Sequence, residues 1–157
     1  MTNLNIIVFI LISACFPNKE SEDYPMEKHL DPIEEKNTEW EGLASYYHNS
    51  LHGLRTASGE LYDKTKFMAA HKTLDFGTWV WVKDHNSSST VVVKINDRLP
   101  AHSSRLIDLS YRAAEEFELL RKGLKKVTIK IIPPSEARRW FLERQLEIPE
   151  ALNIEVP

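Results

Sequence analysis

Residues Thr78–Lys83 alternate, with Trp79 and Trp81 on one face and Val80 and Val82 on the other, the period-2 pattern of a sheet. The turn-forming cluster Asp84-His85-Asn86-Ser87-Ser88-Ser89 follows, and Thr90–Ile95 returns as a second apolar run. Residues 78–96 therefore predict a β-hairpin with a long loop. Further short β-type runs occur at Leu43–Tyr47, Leu106–Leu109 and Val127–Ile132, the last closed by Pro133-Pro134. One helix is predicted among them. Ser110 is its N-cap, Ala113, Ala114, Phe117 and Leu120 recur at helical spacing to Lys122, and Gly123 is the C′ stop. Many short strands with so little helix imply a small closed barrel. Ser135–Ile148, with Ala137, Trp140, Phe141 and Leu142 unevenly placed, reads as a second helix beyond that barrel.

A chain of 157 residues holds one such domain plus extensions. Its net charge of −3 and scattered basic residues leave no concentrated cationic face, which excludes nucleic acid as an expected partner. The densest basic group, Arg121-Lys122 with Lys125-Lys126, is expected to mark a helix end and a solvated strand start. Near the N-terminus, Ile6–Ile12 is apolar but too short to span a bilayer, and Ile12-Ser13-Ala14-Cys15 looks like a bacterial lipobox. Residues 1–14 are expected to be a lipoprotein signal peptide and Cys15 the lipidated residue; Met1–Asn5 lacks the Lys or Arg usual at the head of such a signal. Cys15 is the only cysteine, so acylation would leave neither a disulfide nor a catalytic thiol. The charged stretch from 15 to 39, poor in apolar periodicity, is expected to be a flexible tether.

Candidates for chemistry are few. Asp97 lies in Asn96-Asp97-Arg98, a polar stop directly after Val91–Ile95. A carboxyl at a strand end can serve as a general acid, or can cap a turn with Arg98 as its ion-pair partner. Glu60 follows Ser58-Gly59, a tight turn that presents it as a base, a charge stabiliser, a substrate anchor or a plain surface glutamate. His71, after Ala69-Ala70, either orients Asp97, binds a ligand hydroxyl, or is buried against backbone groups. Tyr46 and Tyr47 alternate, so one must face the core and one is free to line a site. Thr56, Ser58, Asn96 and Arg98 are candidate polar contacts for a bound ligand. The six histidines, His29, His48, His52, His71, His85 and His102, show no ligand spacing, so no metal is expected.

Four blocks in order, Gly-Leu-Ala-Ser-Tyr-Tyr at 42–47, His-Gly-Leu-Arg-Thr-Ala-Ser-Gly-Glu at 52–60, Ala-Ala-His-Lys-Thr-Leu at 69–74 and Ile-Asn-Asp-Arg at 95–98, resemble the core of the rare lipoprotein A family. The resemblance covers roughly residues 40–132. It implies a mainly β fold, a six-stranded double-psi β-barrel with one or two short helices at 40–134, followed by an extension at 135–157. It also implies lytic transglycosylase activity on peptidoglycan glycan strands, with Asp97 in the position of the acid, Glu60 in that of the second acidic residue and His71 in that of the family histidine. The reaction it implies cleaves the bond between N-acetylmuramic acid and N-acetylglucosamine, leaves a 1,6-anhydro end and needs no cofactor. A monomer is expected, lipid-anchored in the bacterial envelope on the periplasmic side of the outer membrane. Departures from the family pattern are Tyr46 for the commoner Trp, His48 for Gly and Leu99 for Gly. Residues 135–157 are also too few for the glycan-binding repeat domain that many members carry. These departures keep open a non-catalytic wall-binding or expansin-like loosening module. An inverting hydrolase, which needs two carboxylates about 6.5–9.5 Å apart, is a further rival.

Overall fold

The computed structural model describes residues 39–153, so Cys15, the signal segment and most of the tether lie outside the described residues. Six strands close into a barrel: β1 (Glu39–Tyr46), β2 (Met68–His71), β3 (Trp79–Asp84), β4 (Thr90–Asp97), β5 (Arg105–Leu109) and β6 (Lys125–Ile132). Their order around the barrel is β1-β5-β2-β4-β3-β6. β1 runs parallel to β5 and β2 parallel to β4, while every other neighbouring pair is antiparallel. The predicted hairpin is β3–β4, with Val80 opposite Val93 and Val82 opposite Val91, all fully buried.

Several boundaries move and one strand is new. β1 starts at Glu39 rather than Leu43, because Glu39–Ala44 pairs continuously with β6. Gly42 belongs there for steric reasons: a Cβ at that position would meet the Leu106 Cβ at 2.7 Å. β2 has four residues, all buried, in the sequence Met-Ala-Ala-His. It has neighbours on both edges and cover on both faces, so it shows no apolar–polar alternation.

The helix after β5, α1, spans Tyr111–Glu116 and stops well short of Lys122. Ser110 caps it as expected, accepting the Ala113 N–H. Its end is a Schellman motif: Leu119 N–H donates to Ala114 O at 2.8 Å and Glu118 N–H to Glu115 O at 3.0 Å. Glu118 takes the left-handed position with φ of 54°, and the turn lets both Phe117 and Leu119 bury completely. Gly123, also at positive φ, closes the following loop instead of the helix. A non-glycine residue there is strained, so Glu118→Gly should raise stability by about 0.5–1 kcal/mol. An increase in the urea midpoint at unchanged slope would show it; no increase would mean that Glu118 carries no such strain.

The second helix, α2, spans Pro134–Glu143 and buries Ala137, Trp140 and Phe141. Phe141 meets Phe67 at 5.1 Å and Trp79 at 6.0 Å between ring centroids, both edge-on. Trp79 therefore packs under α2 on the outside of the barrel, while Val80 and Val82 point the other way. Lys125 corrects a further expectation. It is buried, with its Nζ 3.0 Å from Asp84 Oδ2 and donating to Phe117 O at 2.6 Å.

Candidate active site

β2 and β4 run side by side in the same direction, with Ala70 opposite Asp97. β5 lies on the other side of β2 and next to β1. The ends of β1 and β4 are thereby brought close enough for Tyr47 and Asp97, fifty positions apart, to touch. Tyr47 Oη donates to Asp97 Oδ2 at 2.6 Å. Asp97 Oδ1 accepts two main-chain N–H groups, from Ala57 and from Arg98, each at 2.8 Å. Among the described residues no cation pairs with this carboxylate. The ion pair with Arg98 considered from sequence does not form. The Arg98 guanidinium instead lies over the Phe76 ring, 3.8 Å from its centroid.

Burial, then the hydrogen bond to Asp97, pushes the Tyr47 phenol far above its ordinary range, so it stays a neutral hydroxyl. Its ring packs on Tyr62 at 4.8 Å. Tyr46 is the member of the pair that packs against the core. The single-face alternation of 46 and 47 is thus resolved in favour of Tyr47 as the residue at the site.

Glu60 is fixed by β4. Its Oε1 is 2.8 Å from Lys94 Nζ and its Oε2 accepts from Asn96 Nδ2 at 2.9 Å. Burial alone would raise this carboxyl, but the hydrogen bonds from Lys94 and Asn96 outweigh it and hold Glu60 below the ordinary glutamate range. Glu60 is therefore an anchored carboxylate at neutral pH. Asn96 is 1% exposed and gives its amide to Glu60 and to the Met68 sulfur, so it positions Glu60 and faces no open surface. Thr56 is also buried, its hydroxyl donating to Glu60 O. With Ser58 N–H bonded to Asn96 O and Gly59 at φ of 89°, the 56–60 turn is clamped onto the end of β4. Asn96 and Thr56, expected as glycan contacts, are interior struts; Ser58, half-buried, shares a hydrogen bond with Thr56.

His71 is 5% exposed, and its Nδ1 accepts the Thr73 and Leu74 N–H groups at 3.2 and 3.1 Å. The proton therefore sits on Nε2. Burial first, then the charges of Arg98 and Lys72, lowers the imidazole below its usual range and keeps it neutral. No hydrogen bond joins it to Asp97 among the described residues, so its backbone-bonded placement is the one realised. Asp108 accepts from Arg105 with both carboxylate oxygens, at 2.7 and 2.8 Å. Among the described residues no three His, Cys, Asp or Glu side chains converge as a metal-ligand set. Sequence reasoning missed Lys94 and Phe76. Lys94 had a signal, since period-2 spacing puts it on the Asn96 face.

The family model described as lytic transglycolase matches residues 39–129. The chain belongs to the lytic transglycolase family. Its relatives include the endolytic peptidoglycan transglycosylase RlpA of Haemophilus influenzae, 46% identical over 92 residues, which are 59% of this chain and 32% of that protein. The RlpA protein of Vibrio cholerae is 36% identical over 121 residues, covering 73% of this chain and 46% of its own length. The chain spans about a third of the length of the first such relatives. Among solved structures, the Streptomyces papain inhibitor superposes with a TM-score of 0.51 at 22% identity, covering 61% of this chain and 96% of its own. An expansin of Clavibacter michiganensis, solved with cellohexaose, gives 0.50 at 14% identity, covering 62% and 52%. At those identities the likeness concerns the fold, and the family's double-psi β-barrel is the closed barrel described above.

Proposed function

We propose that this member of the family is a lytic transglycosylase of peptidoglycan glycan strands, with Asp97 as its acid. The observation that carries the proposal is the Asp97 carboxyl at the end of β4, held by three donors and paired with no cation among the described residues. In the reaction, protonated Asp97 gives its proton to the oxygen between N-acetylmuramic acid and N-acetylglucosamine, and the C1–O bond breaks. Positive charge builds at C1 of the muramic acid, and the C6 hydroxyl of the same sugar bonds to it. The O6 proton passes to Asp97, which restores the acid without consuming water. An internal nucleophile is already in place, so a second carboxylate to activate water is unnecessary. That suits Glu60, whose oxygens are occupied by Lys94 and Asn96. With Nδ1 taken by two backbone N–H groups, the His71 Nε2–H is the neutral donor for a sugar oxygen.

Purified glycan strands incubated with the protein should yield 1,6-anhydro-muramyl ends by mass spectrometry. Reducing ends formed with uptake of one water would instead make it a hydrolase, and binding without cleavage would make it a wall-binding or loosening module. We further propose that Cys15 is acylated, that the protein acts as a monomer anchored at the envelope, and that its outer-membrane periplasmic face is the site of action. The apolar run ending in Ser13-Ala14-Cys15 supports this. Metabolic labelling with an alkyne fatty acid should mark the wild type and leave Cys15→Ser unlabelled; equal labelling of both would overturn it.

A further inference from the structure

Arg98 is the residue after Asp97, and its charge has no counterion among the described residues. No carboxylate lies within salt-bridge distance among the described residues, in contrast to Arg105 and Arg112, which are both paired. Its only side-chain hydrogen bond among the described residues is a long one, from Nη1 to the Asp97 carbonyl at 3.4 Å. The remaining guanidinium nitrogens have no partner among the described residues, and the side chain is only half-buried. The group is nevertheless held in place. Its carbon sits 3.8 Å from the Phe76 ring centroid, and its main-chain N–H is tied to Asp97 Oδ1. An unpaired planar fork with little rotamer freedom left to lose is suited to a carboxylate, which accepts two parallel N–H bonds from it.

We infer that Arg98, seated on Phe76, is a specificity-determining residue that binds a carboxylate of the glycan strand beside the bond that Asp97 cleaves. The inference rests on the transglycosylase reading for its substrate. The sugar backbone of such a strand is uncharged, and its carboxylates come from two sources. One is the lactyl group of muramic acid when no peptide is attached; the other is the stem peptide joined to that group. In either case the charge lies on the sugar whose C1 reacts, next to the acid. Arg98 thus recognises the muramic acid residue by charge, whereas Phe76 acts through Arg98 as a positioning residue.

The test uses the full chain and three strand preparations: peptide-bearing, peptide-stripped with a free lactyl carboxylate, and peptide-stripped with that carboxylate methyl-esterified. Cleavage and equilibrium binding are measured for wild type, Arg98→Gln and Arg98→Lys. The wild type should show a KM on the best charged strand at least about tenfold below that on the ester, with the difference carried by KM rather than kcat. Arg98→Gln should bind charged and esterified strands alike, and Arg98→Lys should keep part of the preference. Preference for the stripped strand assigns the lactyl carboxylate, and preference for the peptide-bearing strand assigns the stem peptide. Cleavage by wild type with no difference between charged and esterified strands overturns the role of Arg98 and leaves the transglycosylase reading standing. Arg98-dependent charge preference in binding, without any anhydro product, does the reverse.

Discussion

Asp97→Asn should abolish the formation of anhydro-muramyl ends, lowering kcat by about a hundred- to ten-thousand-fold, while the protein stays folded. The substitution removes a transferable proton and almost nothing else. Asparagine keeps a carbonyl oxygen for the Ala57 and Arg98 N–H groups now bonded to Oδ1. Its amide would take the place of Oδ2 and donate to the Tyr47 oxygen, whose hydroxyl can turn to suit. Thermal unfolding should therefore shift by a few degrees at most. Were Asp97 only the cap of a turn, the retained acceptor would leave product formation within a few-fold of wild type, and that result would sink the assignment. Tyr47→Phe is a useful companion, because it removes the hydroxyl that holds Oδ2 and leaves the acid in place. A loss smaller than that of Asp97→Asn separates positioning from proton transfer.

The parts of this site legible in the sequence are those fixed by local pattern. The apolar run Val91–Ile95, stopped by Asn-Asp-Arg, was enough to place Asp97 at a strand end, and the Ser58-Gly59 turn was enough to present Glu60. What remained hidden depends on closure of the barrel. The Tyr47–Asp97 bond joins residues fifty positions apart through two intervening strands, β5 and β2. β2 itself gives no periodic signal because both of its faces are covered. Arg98 and Asp97 are neighbours in sequence, which suggested an ion pair; the guanidinium instead stacks over Phe76. The same limit explains α1. Its apolar spacing continues past Glu116, but burying Phe117 and Leu119 together requires the chain to leave the helix at Glu118. Glycine is the usual marker of that exit, and a glutamate hides it.

Lys125→Ala should destabilise the fold by about 3–5 kcal/mol, because it strands a buried carboxylate. Asp84 is 1% exposed and its Oδ2 lies 3.0 Å from Lys125 Nζ, where the β3–β4 hairpin turns beside the start of β6. The ammonium also donates to Phe117 O and lies over the Phe117 ring at 4.5 Å, so it ties the exit of α1 to the hairpin. Asp84→Leu combined with Lys125→Met removes both charges and should recover most of the loss, because the desolvation cost disappears with the pair. Acid titration provides an independent check. Burial alone would raise the Asp84 carboxyl, but the Asn86 N–H, Lys125 and Ser87 outweigh it and bring it down to about 2. A folded value below the unfolded one stabilises the protein above about pH 4, and this contribution drains away as pH falls toward about 2. The amount is about 2 kcal/mol. Urea unfolding at a series of pH values should show that loss in the wild type and a flatter acid limb in the double variant, whose side chains at 84 and 125 bind no proton. An equally steep limb in both would mean that the pair does not govern acid stability. The hairpin turn at Asp84 and the acid at Asp97 are at opposite ends of β4, so anhydro-product formation by the double variant, assayed well below its melting temperature, should match the wild type.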